Sequence, residues 1–284
     1  MGYLNTCSFN FDGVGSEQYG LYIGWEGAES DIPTGLDKEI LKGDVNMVRH
    51  KANQYGTVYS SVIEIEFMIL HKDDSHFSQA ESRSINKWLM QETYKPLRFN
   101  NENDTENITY YVICTSIVDK VYNGHNAKLV TFEADSPFGY TSKTAYRINA
   151  LNGGTGSKKI VNTSDDGIYY PILQIKCNED YSSPIVISNT TENKSMSINT
   201  DQIPVINNKK IININTSLMQ ISDGNNKIIP AYKLGWEIPL NENSPIQSMD
   251  KYWPRLIEGQ NEISVTGNCE VIINCQFPRK VGVV

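Results

Sequence analysis

Two histidines and two aspartates lie within the short run from His71 to His76. The carboxylates are those of Asp73 and Asp74. Imidazole and carboxylate groups can bind divalent cations. However, this spacing matches no zinc or calcium loop, and acidic residues just before a helix are expected from capping and the helix dipole alone. We therefore predict no metal site and no cofactor.

A glycine-rich run has the composition of a phosphate-binding loop, Gly153-Gly154-Thr155-Gly156-Ser157-Lys158-Lys159. A Walker loop needs Gly-Lys-Ser/Thr followed by a helix, so that backbone amides and the lysine converge on the phosphates. Here Ser157 precedes Lys158, and no helical pattern follows. The run predicts a hairpin loop and no cofactor-binding residues.

Catalytic groups are equally poorly supported. The sequence has no Gly-x-Ser-x-Gly elbow, and His50 and His125 stand alone in loop-like contexts. The pair Asp165-Asp166, or Glu64 with Glu66, would be needed as acid and base of a glycosidase, but neighbouring or alternating acids are usually solvated turns and strands. We predict no catalytic residues and no enzyme.

Aromatic side chains leave a binding function open. Sixteen tyrosines and four tryptophans could stack on sugar rings, although aromatics in β proteins usually pack in cores or across strands. The candidates in the second half are Tyr169, Tyr170, Tyr181, Trp236, Tyr252 and Trp253. A carbohydrate-binding module that recognises the host is therefore the alternative function.

The charge of the chain argues against nucleic-acid and membrane affinity. Its formal net charge is −8, and no stretch gathers five or more lysines and arginines. If the chain lined a channel, its weakly acidic surface would repel phosphate, so that DNA could pass without binding. The N-terminal sequence resembles no signal peptide, and no apolar run is long enough to span a membrane. We expect synthesis in the cytoplasm.

The cysteines do not form a recognisable metal or redox motif. They are odd in number, scattered, and lack a Cys-x-x-Cys pair, which predicts buried free thiols. The five are Cys7, Cys114, Cys177, Cys269 and Cys275.

Alternating apolar residues predict a mostly β protein. The first clear example is Val58–Phe67, where Ile63, Ile65 and Phe67 face one way. Turn-forming clusters separate the later runs and favour antiparallel sandwiches. These runs are Tyr110–Ile117, Lys128–Glu133, Ile172–Lys176, Pro184–Ser188, Lys210–Asn215, Glu262–Thr266 and Glu270–Gln276.

One segment has helical spacing. Phe77, Ile85 and Trp88 lie near one face of a helix predicted over about 76–92, with Ser75 or Ser78 as its cap. The length of the chain favours two domains, and the strand pattern stops at a Pro-Gly pair. We expect an N-terminal β domain with one helix, 1–138, and a C-terminal β-sandwich, 139–284.

Several short motifs, in their order, resemble the distal tail protein (Dit) family of long-tailed phages. The N-terminal motif is Phe9-Asn10-Phe11-Asp12-Gly13, followed by Ser16 and Tyr19-Gly20. The remaining motifs are Trp88-Leu89, Tyr94–Phe99, Tyr110-Tyr111, Phe132–Gly139, Trp253–Gly267 and Phe277-Pro278-Arg279. Their order spans almost the whole chain, and no inserted carbohydrate-binding module interrupts it.

This resemblance implies a structural protein of the tail tip. The N-terminal half would form a hexameric ring, and the C-terminal half would be a galectin-like sandwich outside it. The ring would join the tail tube protein to the tail-associated hub or lysin protein. Receptor-binding proteins would dock outside, and DNA would pass through the lumen. The implied location is the baseplate of the virion tail.

Overall fold

Strands make up most of the chain, which confirms the predicted β class. The computed structural model describes residues 8–24, 38–46, 51–59, 62–71, 73, 75–100, 107–122, 125–234 and 252–280. The chain divides into two units. One contains the described residues up to Ser142 and those from Pro278 onward, and the other is Lys143–Phe277.

An antiparallel seven-stranded sheet forms the base of the first unit. The strands up to the unit's boundary are β1 (Phe9–Phe11), β2 (Val14–Gly15), β3 (Leu21–Gly24), β4 (Lys38–Asn46), β5 (Lys51–Tyr59), β6 (Glu64–His71), β7 (Lys95–Phe99), β8 (Tyr110–Tyr122), β9 (His125–Ala134) and β10 (Gly139–Tyr140). The sheet order is β2-β1-β7-β8-β9-β6-β3, whereas β4 and β5 form a separate ribbon.

The single strand predicted over Val58–Phe67 is wrong, because β5 ends and β6 begins within it. Strand β5 pairs with β4, whereas β6 pairs with β9 and β3. The alternation itself is confirmed in β6, where Ile65 and Phe67 are buried and Glu64 and Glu66 are exposed. Alternation alone could not show that two sheets share this run.

Helix α1 (Gln79–Leu89) is shorter at both ends than the predicted 76–92. Of the two predicted caps, Ser78 is the one used. Its Oγ accepts a hydrogen bond from the Glu81 backbone N–H at 3.2 Å, and the Ser78 N–H donates to the Glu81 carboxylate at 2.8 Å. This reciprocal capping box satisfies two backbone donors and fixes where the helix starts.

The core of the first unit lies between the sheet and α1. The helix buries Ile85, Trp88 and Leu89 against it, as its apolar spacing predicts. The strands contribute the aromatic and branched side chains Phe9, Phe11, Leu21, Ile65, Phe67, Ile69, Leu97, Val112, Val130 and Phe132, among others.

Two short 3-10 helices complete the described helical segments, Ser16–Tyr19 and Ala231–Leu234.

The second unit is a sandwich of two antiparallel sheets. Its strands are β11 (Thr144–Ala150), β12 (Thr155–Asn162), β13 (Ile168–Tyr169), β14 (Ile172–Asn178), β15 (Ile185–Asn189), β16 (Lys194–Ile198), β17 (Val205–Ile206), β18 (Lys209–Asn215), β19 (Gln220–Asp223), β20 (Leu256–Ile257), β21 (Gly259–Thr266) and β22 (Cys269–Cys275). One sheet has the order β11-β22-β14-β18-β17, with β19 also on β18, and the other has the order β12-β21-β15-β16.

Inward-facing isoleucines and valines from both sheets form one continuous core in this unit. Each main strand alternates buried and accessible positions, as in β14 and β18. Strands β11 and β12 follow one another in the chain but pair in different sheets. The run Gly153–Lys159 is a turn followed by β12, and no helix follows it. The predicted hairpin loop is wrong, because the two strands that the turn joins do not pair with each other.

The C-terminal strand returns to the first unit. Strand β23 (Pro278–Arg279) pairs antiparallel with β10. The division therefore differs from the expected domains, 1–138 and 139–284, by four residues at the junction and by this returning segment. A two-residue pairing leaves no recognisable pattern in the sequence.

Candidate assembly surface

The histidine-aspartate run has structural roles in the fold. His71 is buried on β6 with its ring 4.4 Å from that of Phe77. The pKa of the Asp73 carboxyl is lowered, first by a hydrogen bond from the Ser75 side chain and then by one from the Ser75 backbone N–H at 3.2 Å. Across the described ranges, no group of three or more His, Cys, Asp and Glu side chains could hold a metal ion.

The other residues considered for chemistry lie apart. Glu64 and Glu66 are exposed on β6, and Asp165-Asp166 lies in an exposed turn after β12. His125 is the first residue of β9. His50, Asp74 and Trp236, which were considered above, lie outside the described ranges.

The thiols are poor nucleophiles. Cys114, Cys177, Cys269 and Cys275 are free and buried, as predicted, whereas Cys7 lies outside the described ranges. Burial raises the pKa of Cys114 to about 11 and those of Cys269 and Cys275 to about 12. The reactive form of cysteine is the thiolate, so these side chains stay protonated and inert near neutral pH.

The candidate sugar-binding aromatics mostly pack inward. Tyr169, Tyr181, Tyr252 and Trp253 are partly buried against the core of the second unit. The ring of Tyr169 lies 4.9 Å from that of Phe277 in an edge-to-face contact. These four side chains therefore do not form an open stacking platform.

The N-terminal motif and the helix tryptophan that carry the family resemblance meet in the core. The indole of Trp88 stacks on the rings of Phe9 and Tyr19, with centroids 5.4 and 4.6 Å away. Its Nε1 donates a hydrogen bond to the backbone carbonyl of Phe11 at 3.2 Å. These motif residues therefore specify packing and contribute no reactive site.

A two-stranded ribbon, β4 with β5, exposes several large apolar side chains in the first unit. Within the described residues, neither strand pairs with any other. Four large apolar side chains on it are 42–73% exposed: Ile40, Leu41, Tyr55 and Val58. Isolated two-stranded ribbons are marginally stable in water, and exposed apolar clusters mark interaction surfaces.

Both faces of this ribbon are accessible. Every residue of Lys38–Lys42 is exposed, although successive side chains in a strand point to opposite faces. Glu39 pairs with Val58 and Ile40 with Thr57, so that each face carries an apolar side chain. At the base of the ribbon, the ring of Tyr59 lies 4.9 Å from that of Phe138. Among the described residues, Ile40, Leu41, Tyr55 and Val58 stay exposed on it.

The charge of the ribbon differs from that of the whole chain. Its strands carry three lysines against two carboxylates, whereas the chain has a net charge of −8. Sequence periodicity does not predict this element, because Ile40 and Leu41 are adjacent and show no alternation. The start of the Val58–Phe67 run lies in β5, and its apolar residues are the part of the sequence that could have indicated this strand.

Three glutamates lie together on one face of the seven-stranded sheet, and we call this patch the acidic sheet face. Further along β6 and β9, the same side of the sheet carries the buried apolar side chains of Met68, Leu70 and Ala127. Glu64 of β6 lies directly opposite Glu133 of β9, and both are exposed. Glu66 follows on the same face and accepts a hydrogen bond from Thr131 Oγ1 at 3.1 Å. Like charges directly opposite each other destabilise a sheet. This pairing is therefore costly for the isolated chain.

Comparisons with known proteins point to phage tails. Residues 5–136 match the family model described as "Phage tail protein N-terminal domain". No curated protein matches the sequence. The fold is similar to the SPP1 Dit protein, described as a paradigm of hub adsorption apparatus in Gram-positive infecting phages, with a TM-score of 0.58 and 13% identity over 95% of this chain and 98% of that chain.

A second solved structure, the phage P2 baseplate in its activated conformation with Ca, has a TM-score of 0.47 and 10% identity, covering 94% of this chain and 97% of that chain. The family match and the SPP1 likeness confirm the predicted resemblance. The N-terminal residues match a phage tail family, and the chain has the fold of a Dit protein.

None of the described helices is long and apolar enough to cross a membrane.

Proposed function

We propose that the chain is a structural component of the phage baseplate, where six copies form a ring that joins the tail tube to the tail-tip hub. Its partners are the tail tube protein on one side and the hub or lysin protein on the other, with receptor-binding proteins docked outside. The protein is made in the host cytoplasm, ends in the virion tail and catalyses no reaction.

The exposed ribbon carries this proposal. A ribbon with apolar side chains on both faces gains stability when it is covered, and a neighbouring copy is the covering body available to every subunit of a ring. Its excess of lysine is complementary to the acidic remainder of the chain. The family match over 5–136, which includes the ribbon, supports the same assignment.

The acidic sheet face supports passage of DNA. Glu64, Glu66 and Glu133 would repel phosphates if this face lined the lumen, so that a strand passes without binding. The pair Glu64–Glu133 lowers stability, and proteins keep such unfavourable pairs mainly at sites where function requires them. We assign this face to the lumen.

The oligomeric state tests the ring and the ribbon separately. Light scattering of the full chain should give six times the 32.0 kDa subunit mass. Burying an aliphatic side chain is worth about 1.5–3 kcal/mol, so Leu41→Thr with Val58→Thr should raise the dissociation concentration more than about tenfold. Val161→Thr, at a 50% exposed position on β12, is the matched control and should leave the mass unchanged.

Each outcome has a separate meaning. A monomeric wild-type chain would contradict the ring. A hexameric wild type whose double variant assembles equally well would leave the ring standing and overturn the role of the ribbon. Far-ultraviolet circular dichroism shows whether the double variant is folded.

A further inference from the structure

The outer face of the six-stranded sheet in the second unit carries an array of neutral amides. Across one row, Asn274 of β22, Ile172 of β14, Asn215 of β18 and Gln220 of β19 are neighbours. In the next row, Ile272, Gln174, Asn213 and Ser222 occupy the same four strands. Five amide side chains thus share four adjacent strands.

These residues face away from the core. In β14 and β18 the alternate positions, such as Leu173 and Ile212, are buried, whereas the amide positions are accessible. Asparagine is depleted in strands because it packs poorly on a pleated surface. A local departure from strand propensity is a feature of functional surfaces.

Hydrogen bonds fix the orientation of several of the amides. Gln174 Nε2 donates to Asn213 Oδ1 at 3.0 Å, and Asn213 Nδ2 donates to the Asp223 carbonyl at 3.1 Å. Asn215 Oδ1 accepts from Ser217 Oγ at 2.8 Å and from the Leu218 N–H at 3.2 Å. Oriented polar groups bind a ligand at a lower entropic cost than free ones.

The charged side chains beside the array are of both signs. Arg147 Nη1 donates to Glu270 at 2.8 Å, and Lys176 lies opposite Glu270 on the neighbouring strand. The face therefore offers no concentrated charge that would select a phosphate, a carboxylate or a basic peptide. Its chemistry favours a neutral ligand rich in hydrogen-bonding groups.

Apolar side chains border one end of the array. Ile172 is 50% exposed within it, and Leu218 and Met219 are more than 60% exposed in the turn that follows Asn215. The turn is held by Thr216, whose hydroxyl donates to the Pro171 carbonyl at 2.6 Å. Such side chains can contact the C–H faces of sugar rings.

We propose that this face binds a neutral polysaccharide. An amide offers two donors and two acceptor positions, which complement hydroxyl groups that both donate and accept. Four strands span about 15 Å, which is enough for a few sugar units. In a ring of six copies, individually weak sites would act together. The inference goes beyond the proposed structural role and does not depend on ring formation.

Binding can be tested on the full chain with a panel of neutral oligosaccharides built from glucose, galactose and N-acetylglucosamine. The wild type should bind at least one member, and Gln174→Ala with Asn274→Ala should weaken that binding at least about tenfold. Gln260→Ala, an exposed amide on β21 of the other sheet, is the control and should bind like the wild type.

Three results would overturn the proposal: no binding by the wild type, equal binding by the double variant, or equal loss in the control. A single Asn274→Lys variant provides a check that leaves the Gln174–Asn213 hydrogen bond intact. It should lose binding while keeping the wild-type melting temperature. The subunit mass in solution, measured on the same samples, reports on the ring separately.

Discussion

At the scale of single residues, Gly156 of β12 lies close against the backbone of β11. A Cβ at this position would overlap the backbone carbonyl of Asn149 and crowd Ile148. Because backbone cannot yield as a flexible side chain can, Gly156→Ala should lower the free energy of unfolding by about 1–3 kcal/mol. Urea denaturation measures the change. Gly15→Ala meets open space and should cost much less.

A charged pair holds the chain after Tyr252 to the turn that follows β15. Arg255 Nη2 lies 2.7 Å from Glu192 Oε1, and the Tyr252 hydroxyl donates to Glu192 Oε2 at 3.0 Å. Burial acts to raise the pKa of Glu192, but the hydrogen bonds of Arg255 and Tyr252 and the arginine charge outweigh it and lower the pKa. The carboxylate therefore contributes stability above its ordinary pKa and loses it as pH falls through the depressed value.

Glu192→Gln should remove this acid-dependent contribution. We expect a loss of about 1–3 kcal/mol at neutral pH, since hydrogen bonds to charged groups contribute in this range. The difference from wild type should shrink in acid. Thermal melts at neutral and acidic pH measure it, and a constant difference across that range would contradict the assigned role.

At the scale of elements, α1 depends on the capping box at its first turn. Ser78→Ala removes the acceptor for the Glu81 N–H and should cost about 1 kcal/mol. Ser84→Ala, exposed within the same helix, should be neutral or slightly stabilising because alanine has the higher helix propensity. Equal effects of the two substitutions in chemical denaturation would rule out a specific role for the cap.

The elements also show where sequence patterns stop being informative. Apolar spacing predicted α1 and its buried Trp88, and alternation predicted β6, because both depend on local periodicity. The ribbon β4–β5 was not predicted, since its side chains alternate between two accessible faces and leave no apolar period. The amide face needed the register of β14, β18, β19 and β22, which only tertiary pairing provides.

At the scale of the whole molecule, each unit has its own hydrophobic core, and the ribbon exposes apolar side chains. Such a combination is expected of a subunit of a larger assembly. The four described cysteines are free and buried, and burial raises the pKa of each. Two surfaces of the first unit bear on assembly, namely the ribbon and the acidic sheet face. The proposed ring would account for both, with subunit contacts at the ribbon and a lumen at the acidic sheet face.

Electron micrographs of the purified, negatively stained full chain test this central claim most directly. The account predicts closed rings with six-fold symmetry and an open centre. Single particles of one chain, at concentrations well above those used to detect assembly by light scattering, would contradict it.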